Sequence, residues 1–463
     1  MKNVFPTVAG ILLGALCTVA GTAFAEVSSA EIEAAKTTLK DSVAIPTVAG
    51  RGRVPELAAY YAGVLKSAGF ADEDIIITPM GETATLAATL RGRESSRPAI
   101  LLSGHMDVVE ADPADWVRDP FTPVEEDGYI FGRGVSDNKF DVAMLITTLA
   151  KVKREGYRPR QDVILALSGD EESGMVTTRA LAERYRGAEM VLNGDGGGGT
   201  LSDDGKPRYY VMQAAEKTYI DFQLEFTNPG GHSSRPSKLN AITQLANALT
   251  RLGAYEFPPQ LSELTRASLT GVAAQVEPEL SAAMLRIVED PDDAEALAII
   301  RNSPEYIGQI GTTCVATMVN AGHAPNALPQ RATANINCRV FPGVSKEEVQ
   351  AELTRVIADP AGKFSVTYPP SMSPASPLRE DVTDAVAEAV YANYPDLPII
   401  PAMSAYGTDC THFRAAGLAC YGTSGLFMRP ADEFSHGLNE RIPVSAIPGA
   451  LKHWDVLLRT MTR

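Results

Sequence analysis

No CxxC spacing occurs among the five cysteines, which argues against a zinc site built from thiolates. No basic stripe with interleaved aromatics is present, and the formal charge of -16 would repel nucleic acid. Beyond the first 25 residues no stretch approaches the length of a membrane span. No internal repeat or low-complexity tract stands out. The glycine run around Gly194 and Gly196–Gly199 lacks the spacing of a phosphate loop, so it reads as close backbone approach only.

What is present describes a globular chain of more than one core. At 463 residues, with 45% hydrophobic and 21% charged residues, two domains is the better expectation. Lys2, an apolar run from Val8 to Ala20 and the small-x-small site Ala23-Phe24-Ala25 read as a secretory signal peptide over 1–25. The mature chain would then begin near Glu26 in a secreted or periplasmic setting. Cys17 lacks a lipobox, since Gly14 stands where leucine is wanted. The other cysteines, Cys314, Cys338, Cys410 and Cys420, can oxidise after export, as 314–338 with 410–420 or in another connectivity.

The chemistry gathers around Gly169-Asp170-Glu171-Glu172-Ser173-Gly174, which follows the apolar run Val163–Leu167. Two adjacent glutamates at a buried strand's end are costly unless a cation or a proton compensates them. One carboxylate binding a metal while the other takes a proton from water explains both. A solvated acidic loop is the plain alternative. Upstream, the apolar Ala99–Leu102 leads into His105 and Asp107, whose i, i+2 spacing allows the carboxylate to orient the imidazole. Asp137 stands before the helix Phe140–Arg154, where it also suits an N-cap. Asp195 follows the short strand Met190–Asn193, and His436 lies in a polar loop before the last helix. Strands thus alternate with helices, and polar residues follow the carboxyl ends of the strands, the edge where open α/β sheets bind ligands. Carboxylates and imidazoles together suit zinc or a similar divalent ion.

From about Ala214 the texture changes. Strands at Thr218–Thr227, Thr312–Val319, Arg331–Val340 and Phe364–Tyr368, with helices at Leu239–Leu252 and Ser345–Ala358, give a β-α-β-β-α-β order. That order is a two-layer α+β unit of ferredoxin-like type over 214–372, with a helical insertion at about 255–305. The first domain, 26–213, would resume over 373–463.

Taken together, the chain resembles the M20 family of metallopeptidases, which includes carboxypeptidase G2-like, carboxypeptidase S-like and aminoacylase enzymes. The matching pieces are SGHMDVV, GRGVSDNK, SGDEESG, VLNGD, NPGGHSSRP, the NALP-to-NCRVFPG stretch, YGTDCTHF and HGLNE, in that order over nearly the whole mature chain. The resemblance implies a zinc-exopeptidase-like α/β fold, a mixed sheet flanked by helices, with the inserted unit as a lid through which a homodimer forms. It implies two zinc ions, with cobalt or manganese as substitutes. Asp137 would bridge them, His105 and Asp195 would hold one, and Glu172 and His436 the other. It assigns Asp107 to orient His105, Glu171 as general base, and His232 to reach a partner subunit's site. Asn326, Arg339 and Gly407 fall at substrate-binding positions, and a cis peptide is expected at Asp137–Asn138. Asp195 replaces the glutamate of many peptidase members, as is common among deacylases. The implied enzyme is a carboxypeptidase or dipeptidase on short peptides; the alternative is an N-acyl amino acid hydrolase on the same site. A protein that binds metal or ligand without turnover is the remote third reading.

Overall fold

The computed structural model describes residues 26–367 and 370–463. The proposed leader and the end of the strand expected at Phe364–Tyr368 therefore lie outside the described residues.

The apolar runs become the centre of a ten-stranded mixed sheet. Val163–Ser168, Ile100–His105, Met190–Asn193 and Cys420–Gly422 lie side by side and parallel. Their carboxyl ends share one edge, with His105 paired to Ser168 and Ser103 to Asn193. Antiparallel strands extend the sheet on one side through Thr83–Leu90 and Ile75–Met80. On the other side lie Pro207–Glu216, Gly198–Leu201 and Phe427–Met428, with Ile399–Ser404 pairing off the main path. The sequence pattern misses Gly198–Leu201, Cys420–Gly422 and Phe427–Met428, because strands of two to four residues are too short to show a period.

Helices cover the sheet because each carries one apolar stripe. Ser29–Val43 is started by a capping box between Ser28 and Glu31. Val54–Ser67 buries Leu57, Tyr61 and Leu65 completely, each worth about 1.5–3 kcal/mol of transfer free energy. Lys139–Arg154 is buried along most of its length, so it lies between the sheet and the first and last helices. No helix among the described residues is long and apolar enough to cross a membrane.

A separate four-stranded antiparallel sheet has the order Thr313–Ala321, Arg331–Val340, Thr218–Thr227, Lys363–Val366. Ile220, Phe222, Leu224 and Phe226 alternate inward from one strand and meet helices Ala241–Gly253 and Lys346–Ile357 in a core of their own. The expected β-α-β-β-α-β order is observed. The insertion forms three helices, Glu263–Ala273, Pro278–Glu289 and Ala294–Arg301, with their own apolar cluster. It packs on Ile399–Ser404 of the large sheet rather than on the small one. Two disulfides are present, Cys314–Cys338 between paired strands and Cys410–Cys420.

Candidate metal centre

The shared strand edge assembles the charged residues. His105 ends its strand with its side chain 1% exposed. Its Nδ1 donates to the main-chain carbonyl of Asp107 at 3.0 Å, which turns the Nε2 lone pair toward Asp137 Oδ1 at 3.0 Å. Asp195 Oδ1 lies 3.8 Å from the same nitrogen. The other oxygen of Asp137 faces His436 Nε2 at 3.3 Å, and His436 Nε2 is 3.0 Å from Glu172 Oε1. Asp137 thus stands between two imidazoles, each beside one further carboxylate. It is not the cap of the helix behind it: Asn138 takes that position, after a cis Asp137–Asn138 peptide.

Asp107 faces two partners. Its carboxylate lies 3.6 Å from His105 Nδ1 and also accepts from the backbone N–H groups of Glu171 and Glu172 at 3.0 Å each. The strand ends at His105, so the i, i+2 alternation does not carry on to Asp107. The ring is oriented by the carbonyl of Asp107, and the acidic pair by its carboxylate.

Burial sets the electrostatics. It pushes Asp195 up to about 8, with His105 opposing and Asp137 adding to the rise. Burial also raises Glu171 well above the usual carboxylate range; His105 opposes, while Asp195, Asp409 and Glu172 add to the rise. His436 rises to about 10 through its contacts with Asp137 and Glu172. For His105 burial works downward, but Asp195, Asp107 and Asp137 outweigh it and the imidazole is raised. Asp137 is held below the usual range, the two imidazoles outweighing burial.

The donor set fits divalent cations. His105, Glu171 and Asp195 offer ligand atoms within 4.8 Å of one another, as do His105, Asp137 and Glu172. Two ligands on one tetrahedral zinc lie about 3.3 Å apart, close to the separations across Asp137. Four carboxylates, Asp137, Glu171, Glu172 and Asp195, share the place with only two imidazoles, a charge balance that cations would restore.

The four carboxylates and His436 line a cavity of about 680 Å³. Its wall also includes Gly196–Gly199, Val211, Leu426, Met428, Tyr406 and Gly407, with polar groups from Thr200, Ser404, Arg429 and Glu433 among the others. The glycines are needed for close approach: a Cβ on Gly199 would stand 1.9 Å from the Phe427 ring, and one on Gly197 (φ +78°) 2.5 Å from the Gly422 carbonyl. Arg339 does not line the cavity, but it donates to the carbonyl of Ala405 at 3.2 Å, behind the cavity loop, and stacks 4.7 Å from Tyr219. His232 lies in a separate two-stranded sheet, Gly231–His232 with Ala327–Leu328, and Asn326 just before its second strand; both are exposed and are not brought to the cavity.

Some supporting residues lie inside the quoted motifs without a task that the sequence pattern shows. Asp170 caps the helix Val176–Arg184 by accepting from the N–H groups of Val176 and Thr177. Asp409 accepts from Ser168 and Thr178 under the central strands. Glu440 and Arg133 tie together the loops of Asp137 and His436. Glu440 sits inside the HGLNE motif, yet its partners lie some 300 residues away.

The family model described as peptidase family M20/M25/M40 matches residues 101–460. The human N-fatty-acyl-amino acid synthase/hydrolase PM20D1 is 28% identical over 92% of this chain and 87% of its own. Probable carboxypeptidase S-like 2 of Dictyostelium discoideum is 27% identical over 78% of this chain and 71% of its own. Among solved structures, the M20 family metallo-carboxypeptidase Sso-CP2 from Sulfolobus solfataricus superposes with a TM-score of 0.69 at 20% identity, covering 92% of this chain and 99% of that one. The chain is a hydrolase that belongs to peptidase family M20/M25/M40.

Proposed function

We propose that the protein is an exported two-metal amide hydrolase that cleaves next to a free carboxylate, acting as a carboxypeptidase or dipeptidase on short peptides. The observation that carries this reading is Asp137 with one oxygen toward His105 and the other toward His436. In this assignment His105 and Asp195 hold one ion, Glu172 and His436 the other, and Asp137 both; zinc, cobalt or manganese each suit the donors. Such a pair, when bound, lowers the pKa of the water it holds and polarises the substrate carbonyl.

The rest is done by this chain's own residues. Glu171 is buried beside Asp195 and His105, where it can accept the water's proton and return it to the leaving amine. Asp107 fixes the backbone that carries Glu171 and Glu172. Arg339 stands outside the cavity of the single chain, donating to the Ala405 carbonyl beside the cavity loop; in this assignment its planar fork meets the substrate carboxylate once the small-sheet unit closes over the cavity. Asn326, like His232, needs a second copy of the chain to reach a cavity, and Gly407 already lines it.

His232 needs a second copy of the chain to reach a cavity. The bare outer strand Thr313–Ala321 supports a homodimer through the small sheet, taken as the lid: Val315, Met318 and Val319 are 60%, 70% and 62% exposed on it. The two disulfides support an oxidising compartment, in keeping with the leader reading.

The second reading is an N-acyl amino acid hydrolase. It is favoured by Val211, Leu426 and Met428 on the cavity wall and by the name of the human relative. One assay tests both: dipeptides, N-acyl amino acids and their C-terminal amides, before and after chelation. The expected result is hydrolysis of free-carboxylate substrates only, lost on chelation and restored by zinc, cobalt or manganese. Undiminished activity in the chelated protein, or equal turnover of the amides, contradicts the proposal.

A further inference from the structure

We propose that Glu440 and Arg133 are positioning residues that build the His436 side of the metal centre and leave the His105 side untouched. The inference rests on the two-metal reading above and concerns how the second ion's pocket is assembled.

Asp137 is held by two different tethers. One runs through its neighbour Asn138, whose Oδ1 accepts from the N–H of His105 at 3.3 Å and whose Nδ2 donates to the Gly194 carbonyl at 3.2 Å. That tether joins Asp137 to the strand ends that carry His105 and Asp195. The other runs through Glu440. Its Oε1 accepts from Ser136 N and Ser136 Oγ at 2.8 Å each and from Asp137 N at 3.1 Å. Its Oε2 accepts from Gly134 N at 2.9 Å and from Arg133 Nη1 at 2.8 Å. Arg133 then uses Nη2 to donate to the carbonyls of His436 and Gly437 at 3.3 and 3.0 Å. The second tether therefore joins Asp137 to the loop that carries His436.

The chemistry of this clamp is demanding. Glu440 is fully buried and takes five donors on two oxygens. A neutral glutamine of the same shape would aim an NH₂ group at one of those donor clusters. Arg133 is 3% exposed and presents one face to Trp116, with ring centroid 5.1 Å away. A lysine there keeps the charge but loses the fork that reaches Glu440 and the His436 loop at once. His436 itself is half exposed at a positive φ of 62°, so little else fixes it.

The test titrates metal-free mature protein with zinc and with cobalt, following bound equivalents by calorimetry and the cobalt absorption spectrum. Wild type is expected to take about two equivalents. Glu440→Gln is expected to keep the first at wild-type affinity and to bind the second about 10–100-fold more weakly. Its kcat should fall at limiting metal and recover at excess metal, with KM little changed. Arg133→Lys should shift the second equivalent in the same direction, and it supplies the answer if Glu440→Gln fails to fold. Two wild-type affinities in both variants, or a parallel loss of both equivalents, overturns the inference while leaving the two-metal reading intact. A wild-type protein that binds no metal would instead overturn the two-metal reading.

Discussion

The edge of the large sheet and the two-stranded sheet Gly231–His232 with Ala327–Leu328 carry functional candidates in opposite conditions. At the large sheet every such residue is already placed by its own chain: His105 by a carbonyl, the acidic pair by Asp107, Asp137 by Asn138 and Glu440. At the two-stranded sheet His232 and Asn326 stand exposed, and the neighbouring outer strand Thr313–Ala321 shows apolar side chains to solvent. One region is complete within a single chain, and the other, on the proposed function, requires a second copy. The difference teaches where each kind of substitution should act.

The largest effect belongs to the complete region. Glu171→Gln should cost about 10²–10⁴-fold in kcat with bound metal unchanged, checked by steady-state kinetics beside metal analysis. Full activity in that variant breaks the comparison at its stronger end. In the incomplete region, His232→Ala should lower kcat by about 10²–10³-fold, the cost of losing one donor to the developing oxyanion, again with metal content unchanged. Mixing inactive His232→Ala with inactive Glu171→Gln should restore part of the activity, since a hybrid pair would hold one intact site. No restoration means that His232 serves its own chain or none.

A smaller effect follows at the outer strand. Val319→Lys places a charge on the proposed interface, so light scattering should report monomers and activity should fall along with the dimer. A monomer of full activity would remove the need for a second copy. The smallest effect lies far from the chemistry. His453 is buried between the last helix and the sheet, donates to the Thr423 carbonyl at 3.0 Å, and is pushed down to about 4 by burial. Its depressed value adds stability above the ordinary histidine range that is lost as pH falls from about 6.5 toward 4. His453→Phe should flatten that slope by up to about 1.4 kcal/mol per pH unit, measured by denaturant unfolding at several pH values.

Legibility in the sequence followed the same division. The central strands show because buried parallel strands are continuous apolar runs, and His105, Glu171 and Asp195 show because charge follows those runs. The small sheet shows through the alternation of Ile220, Phe222, Leu224 and Phe226. Gly198–Leu201 and Phe427–Met428 are hidden because strands so short are specified by their neighbours. The insertion reads as helical, but its seat on Ile399–Ser404 does not, because Gly271 meets Ile400 across a contact without local pattern. Asp107 was visible as a residue beside His105, but its second contact, with the backbone of Glu171 and Glu172, was not. Glu440 was visible only as part of a motif, since its donors come from a loop distant in sequence.

The most direct measurement counts the ions bound by purified mature protein and by Asp137→Ala after equilibration with zinc and removal of the excess. The account predicts about two per chain in the wild type and a loss of tight binding in the variant, because the carboxylate between the two imidazoles is gone. A wild type that retains none, or a variant that retains as many as the wild type, would contradict it.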